Sequence, residues 1–199
     1  NVPSVPASST ADIFLFYGNP TASLVSNGNT TFELFDDFTG TSVDASKWTV
    51  CNSGTITVAG GKISMTGTTA LTSANPLAAP VKITLKVSDF DFTNDGSTCA
   101  GLINDGTQTG YIGGVRNVSG TTRISHKRVQ PPGTCYTFDS ESLSASTVSP
   151  IGVWEFSWPA GGDQRSRING ISHSSALSTI APAANQKAII GNADMNGIM

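Results

Sequence analysis

Two stretches of the chain alternate strictly between apolar and polar residues. In Val81–Val87 the branched apolar residues fall on one side, and Lys82, Thr84 and Lys86 fall on the other. In residues 151–158 the aromatic residues fall on one side and Glu155 on the other. Side chains along a β-strand point alternately to its two faces, so both stretches predict half-buried strands. The polar side of each strand is expected to face solvent or a ligand.

Shorter apolar runs, separated by turn residues, predict the remaining strands. These are residues 55–58, 62–65, 99–103, 110–115, 121–128, 135–138, 164–168 and 187–190. The turns Gly60-Gly61 and Asn169-Gly170 have the composition of tight hairpin turns. No segment shows the period of 3.6 residues that marks an amphipathic helix. The pattern therefore predicts an all-β fold, either a sandwich or a barrel.

The N-terminal region has a different pattern. Residues 1–10 are rich in Pro and Ser and predict an extended arm. Residues 11–17 alternate but are apolar on both sides, which predicts a strand that is buried on both faces. Residues 32–48 predict the first strand of a β domain, followed by a loop that returns Trp48 to the core.

Composition and charge narrow the setting. The chain has 199 residues, of which 13% are charged, and a formal net charge of -3. This charged fraction is low against an average of roughly 25%, and Gly, Ser, Thr and Asn fill the difference. The acidic balance and scattered basic residues argue against a nucleic-acid partner. No apolar run approaches the ~18 residues of a membrane-spanning helix. We expect an extracellular location, at a cell or virion surface.

Cysteines and glycosylation sequons fit that setting. The chain has three cysteines, so at least one has no partner within it. Cys99 and Cys135 each border a predicted strand and are the favoured disulfide pair, while a free, buried thiol at Cys51 stays open. Asn29 and Asn117 begin Asn-x-Thr/Ser sequons in polar, turn-like segments, where glycans are tolerated.

Several motifs resemble one known fold family. The string FDDFTGTSVDASKW is similar to the opening of concanavalin A-like (laminin G-like) jelly-roll domains, in which an aromatic-acidic strand precedes a buried Trp. The strings ITVAGGKI, WEFSW and RING resemble the hairpins that follow. The resemblance covers residues 32–199 and implies a concanavalin A-like jelly-roll sandwich of two antiparallel sheets, preceded by the extended arm and its strand.

The lead resembles a second family. VPSVPASSTADIFLFYGNPTA is similar to the last segment of an uncharacterised domain family of prokaryotic surface proteins, which implies that residues 1–31 are the tail of an upstream domain. The chain stops where the jelly rolls carry a closing strand, so both ends look cut within a larger protein. We therefore expect residues 11–17 either to fill the place of that strand or to pair with another chain.

The residue types argue against an enzyme. Glycoside hydrolysis needs two carboxylates across the sugar. The chain has only three Glu and lacks the E-x-D-x-(x)-E string that related jelly-roll glycosidases carry on one strand. Tyr111 vaguely echoes the Tyr-bearing strand of alginate lyases, but the Gln, His and Arg-Glu partners of those enzymes are absent. Neither His126 nor His173 has a nucleophile and a carboxylate beside it in the sequence. We predict that the chain is not an enzyme.

One acidic segment suits a cation. Asp89, Asp91 and Asp95 precede Gly96, and carboxylates at alternate positions suit Ca²⁺ together with loop carbonyls. Their spacing is not that of an EF-hand loop. A polar strand edge with a turn explains the same residues, so we expect no cofactor, with Ca²⁺ as the one candidate.

The expected function is that of a non-catalytic surface module that binds glycan or promotes adhesion. The candidate ligand-binding residues are Tyr111, Arg123, His126, Glu155 and Arg167. One alternative is a subunit of an extracellular filament or virion fibre that assembles through residues 11–17. A second alternative is a polysaccharide hydrolase or lyase.

Overall fold

A computed structural model gives the fold. It describes residues 8, 10, 12, 14, 17–21, 23, 26–51, 54–67, 69–77, 81–90, 97–104, 110–130, 137–158, 164–175 and 186–193. The chain consists of two compact units, Asn1–Asp36 and Asp37–Met199. The sequence-based boundary between residues 31 and 32 stays a prediction.

Strands dominate the described residues. They are β1 (Trp48–Cys51), β2 (Thr55–Ala59), β3 (Lys62–Thr66), β4 (Thr69–Ser73), β5 (Val81–Val87), β6 (Ser97–Asn104), β7 (Gly110–Val118), β8 (Thr121–Gln130), β9 (Thr137–Thr147), β10 (Gly152–Trp158), β11 (Gln164–Ile168), β12 (Ile171–Ser175) and β13 (Gln186–Ala193). The helix among them, α1 (Gly28–Thr31), has four residues. The prediction of an all-β fold is confirmed.

The strands form antiparallel sheets. A seven-stranded sheet has the order β1-β4-β13-β6-β7-β8-β9, a four-stranded sheet has the order β12-β11-β10-β5, and β2 and β3 form a hairpin. Neighbours such as β4 and β13, or β5 and β10, are far apart in sequence. The order of strands in space therefore differs from their order along the chain.

The two larger sheets pack face to face as a β-sandwich. From the seven-stranded sheet, Ala100 and Ile124 are fully buried, and from the four-stranded sheet so are Trp154, Phe156 and Ile168. A Cβ placed on Gly113 of β7 would lie 2.5 Å from the Phe156 ring of β10, which shows how closely the sheets approach. Large side chains from one sheet thus fill the space above small residues of the other.

The two predicted tight turns are confirmed. Gly60 and Gly61 join β2 to β3 with φ angles of 59° and 73°. Asn169 and Gly170 join β11 to β12 with φ angles of 49° and 87°. Positive φ at both central residues is the geometry of a type I′ hairpin turn, which Gly and Asn tolerate best.

The prediction that the first strand of the β domain begins at Phe32 is wrong. Residues 32–38 form bends and irregular structure, and Phe32 is 60% exposed. Phe38 adopts a φ of 50°, which a strand does not accommodate. Trp48 is buried as predicted, and its ring stacks on Phe38 with centroids 6.4 Å apart. Residues 32–38 therefore form no strand, and Phe38 instead packs on the buried Trp48 ring.

The first unit contains α1 and part of the apolar lead. Asn27 caps α1, because its Oδ1 accepts a hydrogen bond from the Thr30 backbone N–H at 3.3 Å. From the predicted strand 11–17, the described residues Asp12, Phe14 and Tyr17 are exposed and lie in no strand. For these positions the predicted pairing within the chain is wrong, and the other four lie outside the described residues.

A bilayer crossing by a helix finds no support in the described residues, since none of their helices has the necessary length and apolarity.

Candidate functional site

The outward side of the four-stranded sheet brings together charged residues from three strands. On β5, Lys82, Thr84 and Lys86 are exposed, while the residues between them are half-buried. On β11, Arg165 and Arg167 are exposed, while Ser166 and Ile168 are buried. This is the period of two that a sheet with one covered face requires.

Strand pairing fixes the positions of these residues relative to one another. We define the cationic face as the outward residues of this sheet. They are Lys82, Thr84, Lys86, Val153, Glu155, Ser157, Arg165, Arg167, Ser172 and Ser174. The register aligns them in rows across the strands.

Two complete rows cross the face. The first row is Lys82, Ser157, Arg165 and Ser174, and the second is Thr84, Glu155, Arg167 and Ser172. Rows that are two residues apart along a strand are separated by about 6.6 Å, and adjacent strands by about 4.8 Å. The face is therefore a regular grid. Cations and hydroxyl groups alternate in its first row, and in its second row hydroxyl groups flank Glu155 and Arg167.

Glu155 is the carboxylate at the centre of the grid. Its Oε1 accepts a hydrogen bond from Lys82 Nζ, and its Oε2 lies 3.9 Å from Arg167 Nη1. The hydrogen bond from Lys82, followed by the charges of Lys82 and Arg167, lowers the pKa of Glu155. Glu155 thus stays ionised in neutral solution and neutralises part of the surrounding positive charge.

Positive charge nevertheless exceeds negative charge on this face. Four cations surround a single carboxylate, whereas the whole chain has a net charge of -3. Two of the cations, Lys86 and Arg165, form no ion pair within the described part of the chain. A local excess of exposed cations attracts anions, and a planar guanidinium binds carboxylate or sulfate through paired hydrogen bonds.

A second polar cluster lies between the sheets. His126 of β8 is fully buried, and its Nε2 shares a hydrogen bond with the Ser166 hydroxyl of β11 at 2.5 Å. The His173 ring of β12 lies 4.7 Å from the His126 ring, centroid to centroid. Burial, together with the nearby His173, lowers the pKa of His126 to about 3, and burial lowers the pKa of His173. Both rings are therefore neutral at pH 7.

The five predicted ligand-binding residues fall into separate places. Glu155 and Arg167 are direct cross-strand neighbours on the cationic face. His126 is buried between the sheets. Arg123 is half-buried on β8, where its Nη1 donates to the Ser144 carbonyl at 3.4 Å. Tyr111 pairs with Leu102 through its backbone, and its side chain lies outside the described part.

The sequence missed three cations of this face as ligand-binding candidates. Lys82 and Lys86 were assigned correctly to the polar side of their strand. The strand that pairs with it was not predicted. Arg165 lies two residues before Arg167, so it was predictable from the period of two. The missing information was the pairing of β5 with β10, which joins residues about 70 positions apart.

The predicted calcium and glycosylation sites lie only partly within the described residues. Asp89 is exposed, and its Oδ1 accepts a hydrogen bond from the Phe90 N–H, while Asp91 and Asp95 lie outside the described residues. The described residues contain no group of three or more metal-binding side chains. Asn29 is exposed in α1, and Asn117 is half-buried in β7. The calcium and glycosylation sites stay predictions.

Cys51 corrects the cysteine assignment. It is disulfide-bonded, which excludes the free thiol considered for this position. A cysteine forms one disulfide and the chain has three cysteines. The bond is therefore incompatible with the predicted pairing of Cys99 with Cys135.

Comparison with protein families supports the resemblance of the lead. A family model described as "Domain of unknown function (DUF2341)" matches residues 1–51. The match covers about a quarter of the chain and agrees with the similarity of its N-terminal segment to an uncharacterised family. No curated protein matches the chain.

Among solved structures, the chain is similar to porphyranase B from Zobellia galactanivorans. The similarity has a TM-score of 0.48 and 14% sequence identity, and it covers 81% of this chain and 79% of the other. This finding contradicts the prediction that the chain is not an enzyme, because the similar protein is a porphyranase. We therefore withdraw that prediction, without assigning an activity to this chain.

Proposed function

We propose that this chain binds acidic polysaccharide through the cationic face. The observation that carries the proposal is the excess of exposed cations on one sheet face of a chain whose net charge is negative. Distant anions are repelled by the chain as a whole, so binding depends on close contact with this face. Such contact is expected to weaken as salt screens the charges.

The other side chains of the face suit a sugar polymer. Thr84, Ser157, Ser172 and Ser174 place hydroxyl groups beside the cations, and hydroxyls both donate and accept hydrogen bonds. The ten residues of the cationic face include no aromatic side chain. Most sites for single-stranded nucleic acid stack bases on aromatic side chains, so the face does not match that class of ligand. An extended chain that carries both acidic and hydroxyl groups is the polymer whose chemistry this arrangement matches.

We also propose that the sandwich is a concanavalin A-like jelly roll in an extracellular surface protein. The buried Trp48, the Gly60-Gly61 hairpin and the Asn169-Gly170 turn support the first part, since each lies where the resemblance implied. The disulfide at Cys51 supports the second part, because structural disulfides persist mainly in oxidising compartments.

Binding to charged and uncharged polysaccharides tests the proposal. We expect the chain to bind dextran sulfate and polygalacturonate, and not uncharged dextran, in isothermal titration calorimetry at low salt. Binding of dextran sulfate alone would restrict the ligand to sulfated polymers. Equal binding of all three would contradict an electrostatic site, and preferential binding of single-stranded DNA would favour a nucleic-acid interface instead.

Charge reversal locates the site. We expect Arg165→Glu to weaken polyanion binding at least tenfold, because it replaces a cation that has no intramolecular ion pair in the described part of the chain. Lys62→Glu is the matched control, since it causes the same change in net charge at an exposed position of β3. If both variants weaken binding equally, the cationic face is not the site.

A further inference from the structure

Glu155 is the carboxylate that contacts two cations of the cationic face. It accepts a hydrogen bond from Lys82 and lies 3.9 Å from Arg167, so one carboxylate is shared by two of the four cations. Its side chain is 26% exposed, against 58% for Lys82 and 61% for Arg167. The carboxylate is thus held close to the sheet, while its two partners remain accessible from outside.

We propose that Glu155 is a built-in competitor that makes the face selective for densely charged polysaccharides. The inference rests on the proposed function of the face. A ligand anion that engages Lys82 or Arg167 must replace a carboxylate that is already in position. A polymer with an acidic group on every sugar presents several anions at once, and its local concentration favours this replacement.

A sparsely charged polymer meets a different situation. It can contact Lys86 and Arg165, which Glu155 does not neutralise, but these residues lie on strands that flank β10 and in different rows. A single anion cannot bridge them, because Glu155 lies diagonally between them on β10 and also engages the other two cations, Lys82 and Arg167. The structure therefore predicts weak retention of polymers whose acidic groups are far apart.

The exposed position of the cluster makes Glu155→Gln a clean test. Gln has the same shape as Glu and can still accept a hydrogen bond from Lys82, but it carries no charge. The substitution frees two cations for the ligand without placing a new group in the core. An unchanged melting temperature would show that the fold is intact, as expected for an exposed ion pair.

Polygalacturonate and its highly methyl-esterified form provide probes with the same backbone and different charge density. We expect the unmodified chain to bind polygalacturonate and to bind the esterified polymer at least tenfold more weakly. Glu155→Gln should tighten binding of both, by roughly threefold for the dense polymer and more for the sparse one. Its salt dependence should steepen by about one to two ions released, in line with the added cations.

The two levels of the proposal fail in different ways. If Arg165→Glu abolishes binding while Glu155→Gln leaves affinity and selectivity unchanged or weaker, the face binds polyanions and the competitor role of Glu155 is wrong. If Arg165→Glu and the control Lys62→Glu bind alike, the proposed function itself is wrong. Tighter binding with reduced selectivity in Glu155→Gln supports both.

Discussion

The two faces of β10 and β11 use polar residues in opposite ways. On the outward face, Glu155 is bound by Lys82 and Arg167 in contact with water. On the inward face, His126 meets Ser166 and His173 where neither His126 nor Ser166 is exposed. Neighbouring positions along the same strands therefore hold one cluster that solvent screens and one that solvent does not reach.

This difference separates binding from stability. Exposed ion pairs contribute little to folding, because water and salt already solvate the separated charges. A buried imidazole, in contrast, cannot gain a proton without bringing a charge into the interior. Changes on the outward face should alter affinity at nearly constant stability, and changes on the inward face should alter stability first.

The largest expected effect compares adjacent residues. Phe156 is fully buried and packs edge-to-face against Trp154, with ring centroids 6.2 Å apart. Phe156→Ala should lower the free energy of unfolding by about 3–5 kcal/mol, because it leaves a cavity between the sheets. Glu155→Gln, one residue away, should leave it nearly unchanged. Urea unfolding followed by Trp fluorescence measures both, and similar losses in the two variants would contradict the separation.

Low pH should destabilise the fold through buried His126. The pKa of His126 is lowered to about 3 from 6.5, so the unfolded chain binds a proton more readily than the folded chain between these values. The contribution of neutral, buried His126 to the free energy of unfolding is therefore complete above pH 6.5, and it is lost as the pH falls towards 3. This loss should reach roughly 3 kcal/mol between pH 7 and pH 4.

His126→Gln is the control for this pH dependence, because an amide can bond Ser166 but does not titrate. Urea unfolding at several pH values should give a shallower decline for the variant between pH 7 and pH 4. Equal slopes for the two proteins would show that carboxylates elsewhere, rather than His126, dominate acid unfolding.

Much of the fold was predictable from the period of two, and the exceptions have physical reasons. β5, β10 and the Gly60-Gly61 hairpin were predicted because each alternates or carries a diagnostic turn. β4 was missed because its sequence, TALTS, is polar although the strand is almost wholly buried. Two of its hydroxyl groups have partners within the protein. Ser73 Oγ donates to the Asn75 carbonyl and accepts from the Ala188 N–H, and Thr69 Oγ1 donates to the Thr66 carbonyl.

The candidate site was predictable only in parts. Glu155 and Arg167 were singled out from their own segments, and the outward side of β5 was assigned correctly. Their meeting depends on the pairing of β10 with both β5 and β11, which local patterns do not specify. The burial of His126, a predicted ligand-binding residue, was unpredictable for a related reason. The polar residues around it, Ser125 and Lys127, gave no sign that its side chain is covered by β11 and β12.

The smallest expected effect concerns the turn that aligns both faces. Asn169 Oδ1 accepts from the Val153 N–H at 3.0 Å, and its Nδ2 donates to the carbonyls of Ser149 and Ile151 at 3.1 and 2.8 Å. These bonds join the end of β11 to the start of β10. They favour the register that places Ile168 inside and Arg167 outside, so this residue serves stability and binding together.

Two substitutions separate the bonds from the backbone geometry of Asn169. Asn169→Gly removes the side-chain bonds but tolerates the φ of 49°, and we expect a loss of about 1–2 kcal/mol. Asn169→Ala should cost about 1 kcal/mol more, because a residue with a Cβ is disfavoured at positive φ. Thermal unfolding gives both values, and polygalacturonate titration reports on the outward face. Weaker binding in the folded Gly variant would show that this turn sets the spacing of the cations, whereas unchanged binding would leave the register to the strand ladder alone.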